Sequence, residues 1–261
     1  PISVQRLLYG NFDYDETEGR LFEYDALNDL FTNPVYPWKK RYITCDVAWG
    51  GKDTTAIAIW EGYNLIHFLT HDQKLDFTEM KIKELAQHYK IPMSQILLDE
   101  NGMGHWPVDN LKCRGFIGNR APISPLAKKY KPELTRNYKD LRCQCLMLFS
   151  RAVNDRKVSI SDKSIKQEVI EELDLMCRIN MDNDGKIEIT PKKDLKEKLG
   201  RSPDKTDCIY MRWWFELFLN DSEVSEQDRI FNPHIDEDIY WNRMMEKGID
   251  DWLNSQRRLE N

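Results

Sequence analysis

Apolar positions change rhythm several times along the chain, and the changes predict the elements. From residue 41, β-branched and aromatic residues crowd into short runs over 41–48, 54–60 and 65–69. Asp53 and Glu61-Gly62-Tyr63-Asn64 stand at the turns between them. Three strands joined so tightly form an antiparallel meander. Phe77, Met80, Leu85 and His88 then recur at helical spacing, predicting a helix over 76–89 that Ile91-Pro92 ends. A short buried strand follows at 95–98, a helix runs through 108–111, and 115–118 reads as a further strand. Leu141, Cys145, Leu148 and Ala152 share one face of a long amphipathic helix over 134–153. Residues 158–160 are strand-like and 164–176 helical. A hairpin is expected over 179–181 and 186–190 around Asn183-Asp184-Gly185. A last helix spans 203–219, with Ser202 as its N-cap and Pro203 in its first turn. A short helix at 25–31 precedes the breaks at Asn33-Pro34 and Tyr36-Pro37-Trp38.

Strands that begin as a meander and then alternate with helices argue for an α/β fold, a mixed sheet with helices on its faces. Three regions result: a lead-in arm over 1–38, a body over 39–220 and a tail over 221–261. Charge follows the same division. The net charge of −6 is the sum of −5 in the first arm, +5 in the body and −6 in the tail. A basic body between acidic arms suits a nucleic-acid partner better than the overall sign suggests. The tail is expected either to be a solvated end or to present Ile239, Trp241, Met244, Met245 and Trp252 as an interaction helix. No apolar run approaches the roughly 20 residues of a membrane helix, and no secretory leader is visible. The chain starts at Pro1 rather than Met, so it is expected to be a piece of a longer protein. Six scattered cysteines predict reduced thiols in a cytosolic compartment. Five histidines with no finger or HExxH spacing speak against zinc.

Three acids stand out by position. Asp46 ends the first strand, Asp99 ends the strand Ile96-Leu97-Leu98, and Asp207 lies one turn into the last helix. A carboxylate at the tip of a buried strand is costly unless a charge compensates it. Three such groups meeting would form an oxygen-rich site suited to Mg²⁺ or Mn²⁺. Asp53, Glu100 and Asp204 are neighbouring acids that could join it. Glycines follow the first two acids, at Gly50-Gly51 and at Gly102 and Gly104, where backbone can approach a bulky ligand. Neither stretch is a dinucleotide fingerprint or a phosphate loop, so no nucleotide hydrolysis is expected. The basic run around Lys193, Lys196 and Arg201 leads into Asp207 and supplies candidate phosphate contacts. Trp49 and His105, beside the acids, are expected to pack rather than to catalyse.

Asp46-Val47-Ala48-Trp49-Gly50-Gly51-Lys52-Asp53, then Leu98-Asp99-Glu100-Asn101-Gly102-Met103-Gly104, then Lys193 to Asp207 through Gly200-Arg201-Ser202-Pro203-Asp204, come in a distinctive order. In that order they resemble the nuclease domain of the large terminase subunit of tailed bacteriophages. Leu8-Tyr9-Gly10-Asn11-Phe12 is similar to the segment joining that family's ATPase and nuclease domains. The resemblance covers roughly 8–218. It implies a ribonuclease H-like fold in which Asp46, Asp99 and Asp207 bind two divalent ions, Asp46 bridging them, for sequence-independent cutting of double-stranded DNA concatemers during genome packaging. It further implies an N-terminal packaging ATPase outside this chain, the portal protein and small terminase subunit as partners, and the host cytoplasm as location. Family members differ over whether the second acid is Asp or Glu, and Asp99 is favoured over Glu100 for its place at the strand tip. The competing readings are a junction resolvase or transposase-type nuclease of the same fold, and a non-catalytic DNA clamp whose acids are structural.

Overall fold

A computed structural model describes residues 19–35, 40–48, 54–101, 105–123, 137–179 and 185–218. The tail, most of the lead-in segment, and Trp49 and Asp53 lie outside the described residues, as does the side chain of His105. A six-stranded mixed sheet organises the rest, in the order β5-β4-β1-β2-β3-β6. Its strands are β1 (Arg41–Asp46), β2 (Thr55–Glu61), β3 (Asn64–His71), β4 (Ile96–Asp99), β5 (Arg114–Phe116) and β6 (Ser159–Ile160). The first three form the antiparallel meander, while β4 runs parallel to β1, β5 to β4 and β6 to β3. A separate antiparallel pair, β7 (Arg178–Ile179) and β8 (Glu188–Ile189), realises the hairpin.

Side chains alternate across a strand, and here both faces are buried. Ile43, Cys45, Ile57, Ile59, Ile96 and Leu98 pack on one side. There they meet α2 (Leu75–Tyr89) and α3 (His105–Leu111), through Ile82, Leu85 and Leu111. Tyr42, Ala56, Ala58, Trp60 and Leu97 face the other, larger core. That core is built from α1 (Tyr24–Asp29), α4 (Leu141–Asn154), α5 (Lys166–Asp174), α6 (Lys192–Leu199) and α7 (Asp204–Tyr210). Residues 19–35 of the lead-in region contribute Leu21, Phe22, Ala26, Leu27, Leu30 and Phe31 to it, all buried.

Three elements differ from the sequence expectation. The long amphipathic helix starts at Leu141, where the Asp140 carboxylate accepts the Cys143 N–H at 2.8 Å and caps it. The expected last helix divides into α7 and a 3-10 helix, Met211–Phe218, and Ser202 is not its cap. The run 192–199, which carries only one fully buried residue, Leu195, folds as α6 after the break at Pro191.

Candidate active site

Strand parity gathers the first two acids. The register pairs Thr44 with Leu97 and Cys45 with Leu98. One step further along, Asp46 and Asp99 stand side by side at the carboxyl ends of neighbouring parallel strands, about 4.8 Å apart across the ladder. Both fall on the parity of Tyr42 and Leu97, the face covered by the larger core. Glu100 falls on the opposite parity. Its carboxylate lies over Gly115 of β5, close enough that a Cβ there would sit 1.9 Å from Oε2. Asp99 therefore faces the cluster and Glu100 does not.

The third acid arrives on α7. Cys208 Sγ donates to the Thr44 carbonyl at 3.2 Å, and Trp60 Nε1 donates to Thr44 Oγ1 at 3.1 Å. The Cys208 bond ties α7 to β1 one residue from Asp207, and the Trp60 bond ties β2 to the same residue of β1. Asp207 is 3% exposed, Asp46 8%, and both Asp207 oxygens are buried, reached by no neutral donor among the described residues. Two cations face them. Lys192, the first residue of α6, brings Nζ to 2.5 Å from Asp207 Oδ2 as an ion pair. Lys192, Leu195 and Leu199 share a face of α6 at helical spacing, and the lysine reaches Asp207 with its side chain still 47% exposed.

The electrostatics follow from burial set against Lys192, with Arg142 also facing Asp207. Burial pushes the Asp46 carboxyl well above its usual range; Lys192 opposes the rise, and Asp207, Asp99 and Asp204 add to it. Asp99 is raised for the same first reason, eased by the Asn101 N–H and by Lys192 and worsened by Asp207. Asn101 donates its backbone N–H and its side-chain amide to the same oxygen, Oδ1, at 2.9 and 2.7 Å. Burial disfavours the Lys192 ammonium, yet Asp207, Asp46 and Asp99 together hold it charged beyond its ordinary range. Three acids thus share one field with Lys192 and Arg142, and Asp204 adds to the negative side.

The remaining expected residues distribute differently. Asp204 starts α7 and lines a cleft of about 470 Å³ beside the cluster, with Thr54, Thr70, Lys196, Arg201 and Lys205. Lys193 points to solvent with an 85% exposed side chain and pairs weakly with Glu197 at 3.9 Å. Arg201 turns to α5, where it pairs with Glu172, Glu168 and Glu171. Two cations near Asp207 were not among the expected site residues. Lys192 is one, and its signal was the Thr190-Pro191 break that makes it the first residue of a helix. Arg142 on α4 is the other; its charge faces Asp207 and Tyr210, and it donates to the Thr190 carbonyl at 3.2 Å. Nothing in the local sequence points to it.

Among the described residues no three His, Cys, Asp or Glu side chains are grouped closely enough to hold a metal ion as they stand. The donor chemistry nevertheless fits one. The acids present hard oxygen ligands, no neutral donor among the described residues reaches those of Asp207, and positive charge already sits beside them.

No protein-family model matches the chain, and no curated protein matches it. Solved structures do. The nuclease domain of the large terminase subunit gp2 of bacterial virus Sf6 aligns over 74% of this chain and 98% of its own, with a TM-score of 0.61 and 18% identity. A lysine-to-alanine variant of that domain with manganese and beta-thujaplicinol gives a TM-score of 0.61, and one with calcium 0.60, each at 18% identity and the same coverage. The fold is thus that of the terminase nuclease domains, the ribonuclease H-like mixed sheet.

Proposed function

We propose that this chain is a metal-dependent endonuclease domain that cuts double-stranded DNA during viral genome packaging. The observation that carries the reading is the convergence of Asp46, Asp99 and Asp207 on Lys192, on the fold of the Sf6 nuclease domain. Buried carboxylates in excess of their counter-charges are unfavourable as structure alone. They are useful where a divalent ion completes the balance.

Asp46, Asp99 and Asp207 are the residues that would hold Mg²⁺ or Mn²⁺, two ions in this reading. Such ions, when bound, activate a water and stabilise the leaving oxygen of an in-line displacement. Asn101 fixes one oxygen of Asp99 and leaves the other free to bind. Thr55 Oγ1 accepts the Ala48 N–H at 3.1 Å, tying the end of β1 to the start of β2 and holding Asp46 at its tip. Lys192 keeps the acids together before ions arrive and can neutralise a phosphate oxygen afterwards. Lys193 and Lys196 lie on the outward faces of α6, where they can meet phosphates without reading bases. Cutting is accordingly sequence-independent. The N-terminal packaging ATPase, the portal and the small terminase subunit are the partners this role requires, in the host cytoplasm. Among the described residues no helix is long and apolar enough to cross a membrane.

The test is plasmid nicking in Mn²⁺ by the wild type and by Asp46→Asn. The reading expects loss of nicking with the fold retained; full activity in the variant removes Asp46 from the site.

A further inference from the structure

Asp207 owes its position to the first turn of α7, and that turn is not anchored by its own sequence. A helix start leaves several N–H groups without partners. Pro203 at the N-cap offers no side-chain acceptor, and no side-chain cap forms there. The acceptor comes instead from α5. Glu172 Oε2 accepts the backbone N–H of Thr206, the residue before Asp207, at 2.9 Å. Its other oxygen, Oε1, accepts from Arg201 Nη1. Glu172 is 0% exposed. Arg201 Nη2 lies 3.8 Å from Glu168 and 3.8 Å from Glu171, so its guanidinium is held on the α5 face. A negative group at a helix N-terminus is favoured by the helix dipole, and a charge-assisted bond is stronger than a neutral one. The pair therefore ties the first turn of α7 to α5 through one buried carboxylate, beside a more exposed tie from Lys205 Nζ to Glu168 Oε2 at 2.6 Å.

We infer that Glu172 is a positioning residue for Asp207, with Arg201 as its clamp, an inference that rests on the nuclease reading. Glu172 touches neither DNA nor ions; it fixes the direction from which the Asp207 carboxylate meets the other acids. Arg201, a phosphate contact on sequence grounds, is thereby assigned to the protein's own scaffold. The two roles separate cleanly. A phosphate contact acts on DNA affinity and lowers the salt slope by about 1. A clamp behind a ligand acts on metal affinity and turnover, typically by about 10- to 100-fold.

The experiment takes the whole chain with Glu172→Ala, Glu172→Gln and Arg201→Met. It measures Mn²⁺ affinity by calorimetry without DNA, kcat and KM for nicking, and amide exchange of Thr206 to Cys208 in metal-free protein. Expected for Glu172→Ala and Arg201→Met are Mn²⁺ binding about 10-fold weaker, kcat down by about 10- to 100-fold, unchanged KM and salt slope, and faster exchange in α7. Glu172→Gln keeps an oxygen for the Thr206 N–H and recovers most of the loss. Should Glu172→Ala fail to fold, Arg201→Met carries the comparison, with Glu172→Gln as the variant expected to stay near wild type. Unchanged Mn²⁺ affinity and kcat in folded Glu172→Ala or Arg201→Met overturn the positioning role and leave the nuclease reading standing. So does an Arg201→Met enzyme with raised KM, a shallower salt slope and wild-type kcat. Wild-type protein that binds no Mn²⁺ overturns both.

Discussion

Two regions of this molecule bury charge, and they do it in opposite ways. Around Arg212 the account is nearly closed. Its Nε donates to the Gly62 carbonyl at 3.1 Å, its Nη1 to Glu216 at 2.8 Å, and its guanidinium lies 3.8 Å over the Tyr42 ring. The second Glu216 oxygen accepts from Tyr63 at 2.7 Å. One cation meets one anion, with ring and hydroxyl partners around them. Around Asp46 three acids share Lys192 and Arg142, and among the described residues no neutral donor reaches the oxygens of Asp207. The first arrangement joins the 3-10 helix Met211–Phe218 to the turn between β2 and β3. The second holds unspent negative charge at the strand ends. The contrast separates charge buried for architecture from charge buried for chemistry.

The contrast breaks most visibly under substitution. Asp46→Asn is expected to reduce Mn²⁺-dependent nicking to background in a plasmid assay, with an unchanged circular dichroism spectrum. Glu216→Ala should do the reverse. Leaving Arg212 buried without its anion costs about 3–5 kcal/mol, read by urea denaturation, while nicking below the midpoint stays normal. If Glu216→Ala is as stable as wild type, the closed cluster is not architectural. A smaller effect sharpens the same point. In EDTA, Asp46→Asn removes a buried anion that the fold resists, so Tm should rise by about 2–4 °C for a gain of about 1 kcal/mol; a lower Tm would mean that Asp46 stabilises the ion-free fold.

The smallest expected effect lies away from both regions, at Asp162. Burial pushes its carboxyl up, but the Ser164 hydroxyl and N–H and the Phe68 N–H outweigh that and hold it below the usual range. The fold therefore prefers the charged form. Its contribution is complete above the unfolded value near 4 and is lost as pH falls through the depressed folded one. Asp162→Ala should cost about 1 kcal/mol at pH 7 as a lost cap. The gap to wild type should shrink in acid. A gap that stays constant from pH 7 to pH 3 would contradict this.

Much of the fold was legible because strand parity and helical spacing are local. The meander, the short strand ending at Asp99 and the helix over 75–89 follow from residues within a few positions of one another. Parity also explains why Asp99 rather than Glu100 faces the cluster, since neighbours on a strand point to opposite faces. What was not legible depended on partners far along the chain. The role of Arg201 turns on Glu172, 29 residues away, and local sequence showed only a basic run before an acid. Lys192 stands in that run among solvated neighbours and is itself half-exposed, and only its place at the start of α6 brings its ammonium to Asp207. The last helix was read as continuous because its apolar content persists past Tyr210. The described backbone instead tightens to 3-10 geometry from Met211, where Trp213 stacks on Tyr63 and meets Trp60 and Phe149.

The most direct test is a crystal of the chain soaked in Mn²⁺ and measured for anomalous scattering. The account predicts strong peaks at the carboxyl ends of β1 and β4, with oxygens of Asp46, Asp99 and Asp207 at about 2.0–2.2 Å, as hard octahedral ions require. Lys192 should have moved away from Asp207. Fully loaded crystals with no peak among those three carboxylates, and Lys192 still paired with Asp207, would contradict it.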